Sequence, residues 1–255
     1  MLSLEKFNTL SLNEDMSVVS VGAGLRWQAV YDYLASFELA CLGGRVPDVG
    51  VGGLLTGGGL SLYSNHYGAC CDQVQNFRVV IADGSIVNAN SSENADLFKA
   101  LKGGSNNFGV VTTFDLYTIP AENGLWGGLT MFLPDKYDLV LENFVEFQTK
   151  HQVEDSHAAM VPSFAFADAG KMQAAVNLIM HPTVDNPPSL SVWSELGPAM
   201  NLMKRSTLPT ITDETYNGFE LLKSPMRYAL FFIPNLVCKL INSFRRDLRG
   251  RICGD

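Results

Sequence analysis

Between Gly43 and Gly59 the chain reads GGRVPDVGVGGLLTGGG, and eight of its 23 glycines fall within these 17 residues. Glycine gives up more backbone freedom on folding than any other residue. Such density is tolerated where only glycine serves, in left-handed backbone or in main chain pressed against a bulky group. Free N–H groups in such a loop can also form a concavity that holds an anion. The run is therefore a candidate loop lying against a large nucleotide cofactor, with a ligand-free glycine-rich turn as the alternative. Asp48 is its only acid. A carboxylate suits phosphates poorly, so Asp48 reads as a turn or capping residue.

The flanking residues narrow the kind of nucleotide. No lysine follows Gly57, Gly58 or Gly59, so the phosphate-gripping GxxxxGK[ST] pattern is missing. Gly22-Ala23-Gly24 follows a β-branched run and opens like GxGxxG, but Trp27 stands where the third glycine belongs. ATP-type and NAD-type sites are thus weakly supported, and a nucleotide held here would rest on backbone, shape and apolar contact. GxSxG and HExxH are also absent. The four histidines, His66, His151, His157 and His181, show no metal-ligand spacing. Tyr63, His66 and Tyr67 follow the glycine run and read as packing or loop-end residues, and no catalytic base is assigned.

The 255 residues suffice for one large domain or two small ones, and 47% hydrophobic with 17% charged residues fits a packed protein. A net charge of −8 argues against a nucleic-acid partner, which needs clustered Lys and Arg. The five cysteines are odd in number and lack CxxC spacing, which supports neither a disulfide framework nor a zinc site. Adjacent Cys70 and Cys71 read as small hydrophobes pointing apart on a strand. The best membrane candidate, Tyr228 to Ile241, is too short to span a bilayer and is broken by Pro234. No membrane partner is expected, and no targeting signal is visible in MLSLEKFNTL.

Along the chain, Val18–Val21 predicts a strand. Trp27, Val30, Tyr31 and Leu34 predict the buried stripe of a helix. Asp83-Gly84 between Val74–Ala82 and Ser85–Ala89 predicts a hairpin. Asn94 is placed as the cap of a helix that ends at Gly103-Gly104, and a strand is expected from Val110 to Ile119. After Pro120 glycine thins out. Pro134 and Asp135 can open a helix with Leu139, Val140, Phe144 and Phe147 as its apolar stripe. Strand-like pieces follow near 158–166 and 174–180. The end, from Arg245 to Arg251 (RRDLRGR), completes no motif and reads as a solvated tail.

Four segments in order, VSVGAGLRWQAVYDYL, VPDVGVGGLLTGGGLSLYSNHYGACCDQV, VVIADGSIVNAN and ADLFKALKGGSNNFGVVTTF, resemble FAD-linked oxidases of the berberine bridge enzyme and vanillyl-alcohol oxidase type, whose flavin domain is called PCMH-type. The resemblance runs from about Leu4 to Ile119. It implies an α+β fold: the second half of a PCMH-type FAD-binding domain over residues 1–120, part of an antiparallel-sheet substrate domain over 121–225, and an unmatched tail over 226–255. It implies FAD as cofactor, a small organic substrate (alcohol, sugar, amine or alkaloid-like) oxidised by hydride transfer to the flavin, and molecular oxygen as acceptor. Val46, Pro47, Val49, Gly50, Gly52 and Gly53 match the segment beside the ribityl chain and flavin ring. Gly57 and Gly58 match the backbone behind it, and Gly109 and Val110 match a contact near the adenine end. Gly22 and Gly24 match a turn serving packing.

The departures carry information too. Members that tether flavin twice place a cysteine where this chain has Val46, so that second bond is not available. Some place a histidine near the ring's polar edge, where Leu54 cannot donate a hydrogen bond. With the family's His-bearing loop unmatched as well, the resemblance implies a flavin held without a covalent bond. The Arg-Gly-Gly-His-type loop that grips the pyrophosphate in the family, and its C-terminal Tyr or Asn-Tyr elements, have no counterpart in these residues. The expectation is a fragment of such an oxidase. The alternative is a non-catalytic remnant that does not retain FAD.

Overall fold

The computed structural model describes residues 2–166, 172–221 and 226–228. The apolar run after Tyr228, the arginine-rich end, Cys238 and Cys253 lie outside them. Two compact units are present. One runs to Gly124 and includes Thr207–Asp213; the other begins at Leu125, runs to Ser206, and resumes at Glu214.

The first unit is built on a five-stranded antiparallel sheet. Its strands are β1 (Leu10–Leu12), β2 (Val18–Gly22), β4 (Val74–Val80), β5 (Ile86–Asn90) and β6 (Val110–Tyr117), in the order β1-β2-β6-β4-β5. A two-stranded ladder joins β3 (Leu39–Ala40) to β7 (Ile119–Pro120). The β4–β5 connection is the expected hairpin: Gly84 has φ of 86°, and Asp83 Oδ1 accepts from the Ser85 N–H at 2.8 Å and its hydroxyl at 2.7 Å. Such self-capping by Asp, with left-handed backbone at the following Gly, is what makes this dipeptide a turn.

Side chains alternate across these strands as a half-buried sheet requires. Val19, Val21, Phe77, Val79, Phe114 and Leu116 are essentially fully buried, and the rings of Phe77 and Phe114 meet edge-on at 5.6 Å. On polar positions Ser20 donates to Asp115 at 2.5 Å, Asn76 donates to Asp115 at 3.0 Å, and Asn90 donates to Asn76 at 3.1 Å. This row crosses β2, β6, β4 and β5, and fixes their register against a one-residue slip.

Helix α1 (Trp27–Ala35) buries the predicted stripe of Trp27, Val30, Tyr31 and Leu34. Helix α4 (Ala95–Leu101) follows Asn94, but Asn94 does not cap it. Its backbone is left-handed (φ 49°), and its side chain donates to the carbonyl of Asn88 at 2.7 Å instead. Cys70 and Cys71 lie on a 3-10 turn, Cys70–Gln73, rather than on a strand. That turn is tied to the glycine run, since the N–H of Cys70 donates to Gly59 and that of Cys71 to Gly58. Both are buried free thiols, as is Cys41. Burial, with Cys71 beside it, pushes the Cys70 thiol up to about 12, so it behaves as a small hydrophobe.

The second unit is a six-stranded antiparallel sheet of β8 (Leu125–Phe132), β9 (Ala159–Phe166), β10 (Met172–His181), β11 (Met200–Asn201), β12 (Lys204–Ser206) and β13 (Met226–Tyr228). Its order is β11-β8-β10-β9-β13, with β12 also on β8. Helix α5 (Tyr137–Glu146) packs on it, with Val140, Phe144, Phe147 and Trp193 in one apolar core with Phe132 and Ile179. Leu139 is not part of the stripe; it is 38% exposed, and Tyr137 and Leu141 take its place. Pro134 opens a 3-10 turn, Pro134–Lys136, so the helix proper starts at Tyr137 in a register that turns 137, 140, 141 and 144 inward. Among the described residues no helix is long and apolar enough to cross a membrane.

Candidate functional site

The glycine run is not one continuous loop. Residues Val51–Thr56 form a short helix, α2, with Gly50 before it and Gly57 after it. Two glycines inside a helix each cost about 1 kcal/mol relative to alanine, which is why the sequence reads as loop. Tertiary packing overrides that cost: Val51 and Leu55, one turn apart, are both fully buried. Thr56 adds a hydroxyl bond to the Gly52 carbonyl at 2.9 Å.

The glycines of the run differ in what demands them. A Cβ on Gly43 would sit 2.3 Å from the Trp27 ring, and one on Gly44 would sit 2.7 Å from its Cδ1. Gly59 has φ of 75°, and its Cβ would lie 2.5 Å from Leu54. These three are needed by the protein's own packing. Gly22 and Gly24 belong with them, since a Cβ on either would fall 2.2 Å from a backbone oxygen of Phe7 or Leu4. Gly109 belongs there as well, at 2.7 Å from Val79 and the Val80 carbonyl. Gly58 has φ of 100°, and a Cβ on Gly52 would meet the Ala23 carbonyl at 3.3 Å.

Gly50 and Gly53 are different. Among the described residues no atom beyond the adjacent backbone lies within 4 Å of a Cβ at either position, and neither has a positive φ. Gly50, Gly53 and Gly57 stand at i, i+3 and i+7, and all three are exposed. Gly50 and Gly53 leave bare backbone on one side of α2 fronting open space, whereas a Cβ on Gly57 would meet the Gly53 carbonyl at 3.1 Å. Nothing among the described residues requires glycine at 50 and 53; a flat group resting on that backbone would.

Of the other sequence-predicted residues, Val46, Pro47 and Val49 lie just ahead of α2 in the chain, while Gly109 and Val110 lie against β4. Val46 is half-buried, Pro47 buried, and Val49 37% exposed beside Gly50. The Ser105 N–H donates to the Thr56 carbonyl at 2.9 Å, which brings the loop before Gly109 to the end of α2, and Val110 pairs with Val80 on β4. Beneath the run, the Tyr31 hydroxyl donates to the Gly44 carbonyl at 2.7 Å, and the Trp27 indole N–H and Tyr63 hydroxyl are buried without a hydrogen-bond partner among the described residues. Burial, with Cys41 and Tyr67 beside it, pushes the Tyr63 phenol well above its ordinary value, so it is not a base. Tyr67 meets His66 edge-on at 4.6 Å, and His66 lies exposed on the one-turn helix α3 (Ser64–Tyr67). Asp48 pairs with Arg26 at 3.2 Å instead of facing the bare strip as a free carboxylate.

One chemistry-bearing cluster gave no sequence signal, because its members are scattered through the second unit. His181, 4% exposed, presents Nε2 to Asp155 at 3.3 Å, and Ser189 donates to the same carboxylate at 2.6 Å. His181 Nδ1 accepts from the N–H groups of Thr183 and Val184 at 3.3 and 3.0 Å. Partial burial pushes the Asp155 carboxyl up, but Ser189, His181 and the His157 N–H outweigh it and hold it below the ordinary carboxylate value. Serine bonds the aspartate and not the histidine, so no hydroxyl is paired with a base for attack. The cluster is a structural clasp.

Comparison with known proteins agrees with this architecture. Residues 1–90 match a family model described as an FAD binding domain. The chain is 33% identical over 225 residues to the FAD-dependent monooxygenase drtC of Aspergillus calidoustus, covering 87% of this chain and 43% of that one. It is 52% identical over 118 residues to the FAD-dependent monooxygenase yanF of Aspergillus niger, covering 46% and 20%. The chain thus spans less than half the length of these curated relatives. Among solved structures, the fold is similar to that of 6-hydroxy-D-nicotine oxidase from Arthrobacter nicotinovorans (TM-score 0.73, 18% identity, 84% of this chain and 48% of that one). Berberine bridge enzyme from Eschscholzia californica gives a TM-score of 0.63 at 19% identity, over 75% and 38%. The first 90 residues thus match an FAD binding domain, the sequence is similar to FAD-dependent monooxygenases, and the fold is that of flavoenzymes of the berberine bridge enzyme type.

Proposed function

We propose that the first unit holds FAD against the bare face of α2, and that the protein oxidises a small organic molecule, an alcohol, sugar, amine or alkaloid-like compound, with molecular oxygen as acceptor. The observation that carries this reading is the pair Gly50 and Gly53, whose missing side chains serve no contact among the described residues. When bound, FAD supplies a two-electron acceptor for hydride from a substrate carbon. The chain's own part is binding and orientation. Val46, Pro47, Val49, Gly50, Gly52 and Gly53 form the wall, Gly57 and Gly58 the turn behind it, and Gly109 and Val110 the far border. That border is joined to α2 by the Ser105–Thr56 bond. Oxygen as acceptor agrees with the names of the relatives, since monooxygenases and oxidases both consume it. Val46 offers no thiol, so the flavin is held without a covalent bond through that position, and Leu54 donates no hydrogen bond to its ring.

Purification of the chain and a visible spectrum test the reading. A yellow protein, or uptake of FAD on titration, is the expected result; a colourless chain that takes up no FAD refutes it and favours the non-catalytic remnant. Acid precipitation then separates released from bound flavin, with release expected. Oxygen consumption across panels of alcohols, sugars and amines identifies the substrate class.

A further inference from the structure

Helix α1 begins without a side-chain cap. Arg26 holds the cap position with extended backbone (φ −106°, ψ 156°) and makes no capping bond to the helix. The first N–H groups of a helix need acceptors from elsewhere, and here the glycine run supplies them. Trp27 N–H donates to the Val49 carbonyl at 3.1 Å, and Gln28 N–H donates to the Pro47 carbonyl at 3.0 Å. The carbonyl between them, that of Asp48, accepts from the Arg26 guanidinium, which also meets the Asp48 carboxylate at 3.2 Å. Three successive carbonyls are thus turned toward the start of α1. The Val51 N–H, donating to Leu25 at 2.9 Å, anchors the segment again at the first residue of α2.

The two side chains are 61% and 65% exposed, so their charge attraction alone contributes little. The bond to the main-chain oxygen is the contact with a geometric consequence, because it sets the orientation of the Asp48 peptide. Gly50 and the start of α2 follow within three residues. We propose that Arg26 is a positioning residue of the cofactor wall. Its guanidinium holds the Asp48 peptide so that the Pro47–Gly50 turn keeps the shape in which Gly50 and Gly53 face outward together. The inference rests on the FAD reading above, and Arg26 acts through the turn and not by touching the cofactor.

The test compares the full chain with its Arg26→Ala, Arg26→Lys and Asp48→Asn variants. Arg26→Ala is expected to weaken FAD binding roughly tenfold, the scale of one charge-assisted hydrogen bond, and to blur the shoulders of the flavin visible band. Its thermal midpoint without cofactor stays where the wild type's is, as for an exposed side chain. Arg26→Lys, which keeps a donor and a charge, falls between the two. Asp48→Asn keeps the main-chain acceptor and binds FAD within about twofold of wild type, since an exposed ion pair is worth little. Wild-type affinity in Arg26→Ala, or equal loss in Asp48→Asn, overturns the proposal. Amide hydrogen exchange on the cofactor-free chain reads the same device without flavin. Arg26→Ala should speed exchange at Val49 and Val51 while Phe77 and Val79 stay unchanged, and unaltered exchange at 49 and 51 also overturns it. A wild-type chain that takes up no FAD refutes the cofactor reading instead, and the exchange result still decides the role of Arg26.

Discussion

Replacing Gly53 with alanine separates what the protein needs from what a ligand needs. Among the described residues a Cβ at this position meets no atom within 4 Å beyond the helix's own backbone, and the residue lies inside α2 without a positive φ. The folded chain therefore loses nothing, while the unfolded chain loses conformational freedom, so stability should rise by about 0.5–1 kcal/mol. For a protein of this size that is an increase of roughly 1–4 °C in thermal midpoint. FAD binding should move the other way. A methyl group standing off the bare strip prevents a rigid ring from resting on the backbone, and a loss of about 1.4 kcal/mol in contact is a tenfold weaker dissociation constant. Differential scanning fluorimetry without cofactor and flavin fluorescence titration measure the two arms. Gly44→Ala is the control: its Cβ would lie 2.7 Å from the fully buried Trp27, so it should lower stability by about 1–3 kcal/mol. A Gly53→Ala chain that is more stable yet binds FAD as tightly as wild type refutes the assignment of this face. One that is less stable refutes the open space in front of it.

Three further outcomes follow from other parts of the molecule. Asp155 is held below its ordinary carboxyl value of 3.8, so its contribution is fully present above that pH and is lost as the pH falls below it. Asp155→Asn should accordingly flatten the thermal midpoint's dependence on pH below about 4, and an unchanged acid limb would count against the clasp. Truncating Trp27, fully buried against Gly43 and Gly44, to alanine should cost about 3–5 kcal/mol, read by urea denaturation. Cys41 and Cys70 are buried thiols whose deprotonation is suppressed by burial. Iodoacetamide at pH 8 should leave both unmodified by peptide mass mapping until the chain is unfolded, and labelling of the native protein at either site contradicts the packing.

The sequence was legible where a local period decides the structure. The α1 stripe, the Asp83-Gly84 hairpin and the strands from Val18 and Val110 needed only side-chain spacing and turn chemistry. It was misleading where burial overrode propensity. Gly52 and Gly53 argue against a helix, and only the distant partners that bury Val51 and Leu55 make one. Leu139 looked apolar enough for the core, but the one-turn delay imposed by Pro134 turned it outward. The glycine run stands out in the sequence as a candidate cofactor element, but its division into glycines needed for packing and glycines left bare does not. That distinction depends on Trp27, Phe7 and Val79, which approach from elsewhere in the chain. The His181 clasp had no local trace, because residues 155, 181 and 189 meet only after the sheet has formed.

The way α1 is capped bears on how this part of the chain folds. At nine residues α1 is shorter than the roughly 12–15 at which an isolated helix becomes even marginal in water. Its first two N–H groups are satisfied by carbonyls about 20 positions later, at Pro47 and Val49. Closing such a loop costs roughly 3 kcal/mol beyond the constant term, and the helix start and the turn recover that only together. Neither should nucleate first. In folding experiments substitutions at Gln28 and at Pro47 should report the same degree of structure in the transition state. In the native protein the two should open as one cooperative unit, so that any outward motion of the Pro47–Gly50 turn uncaps α1.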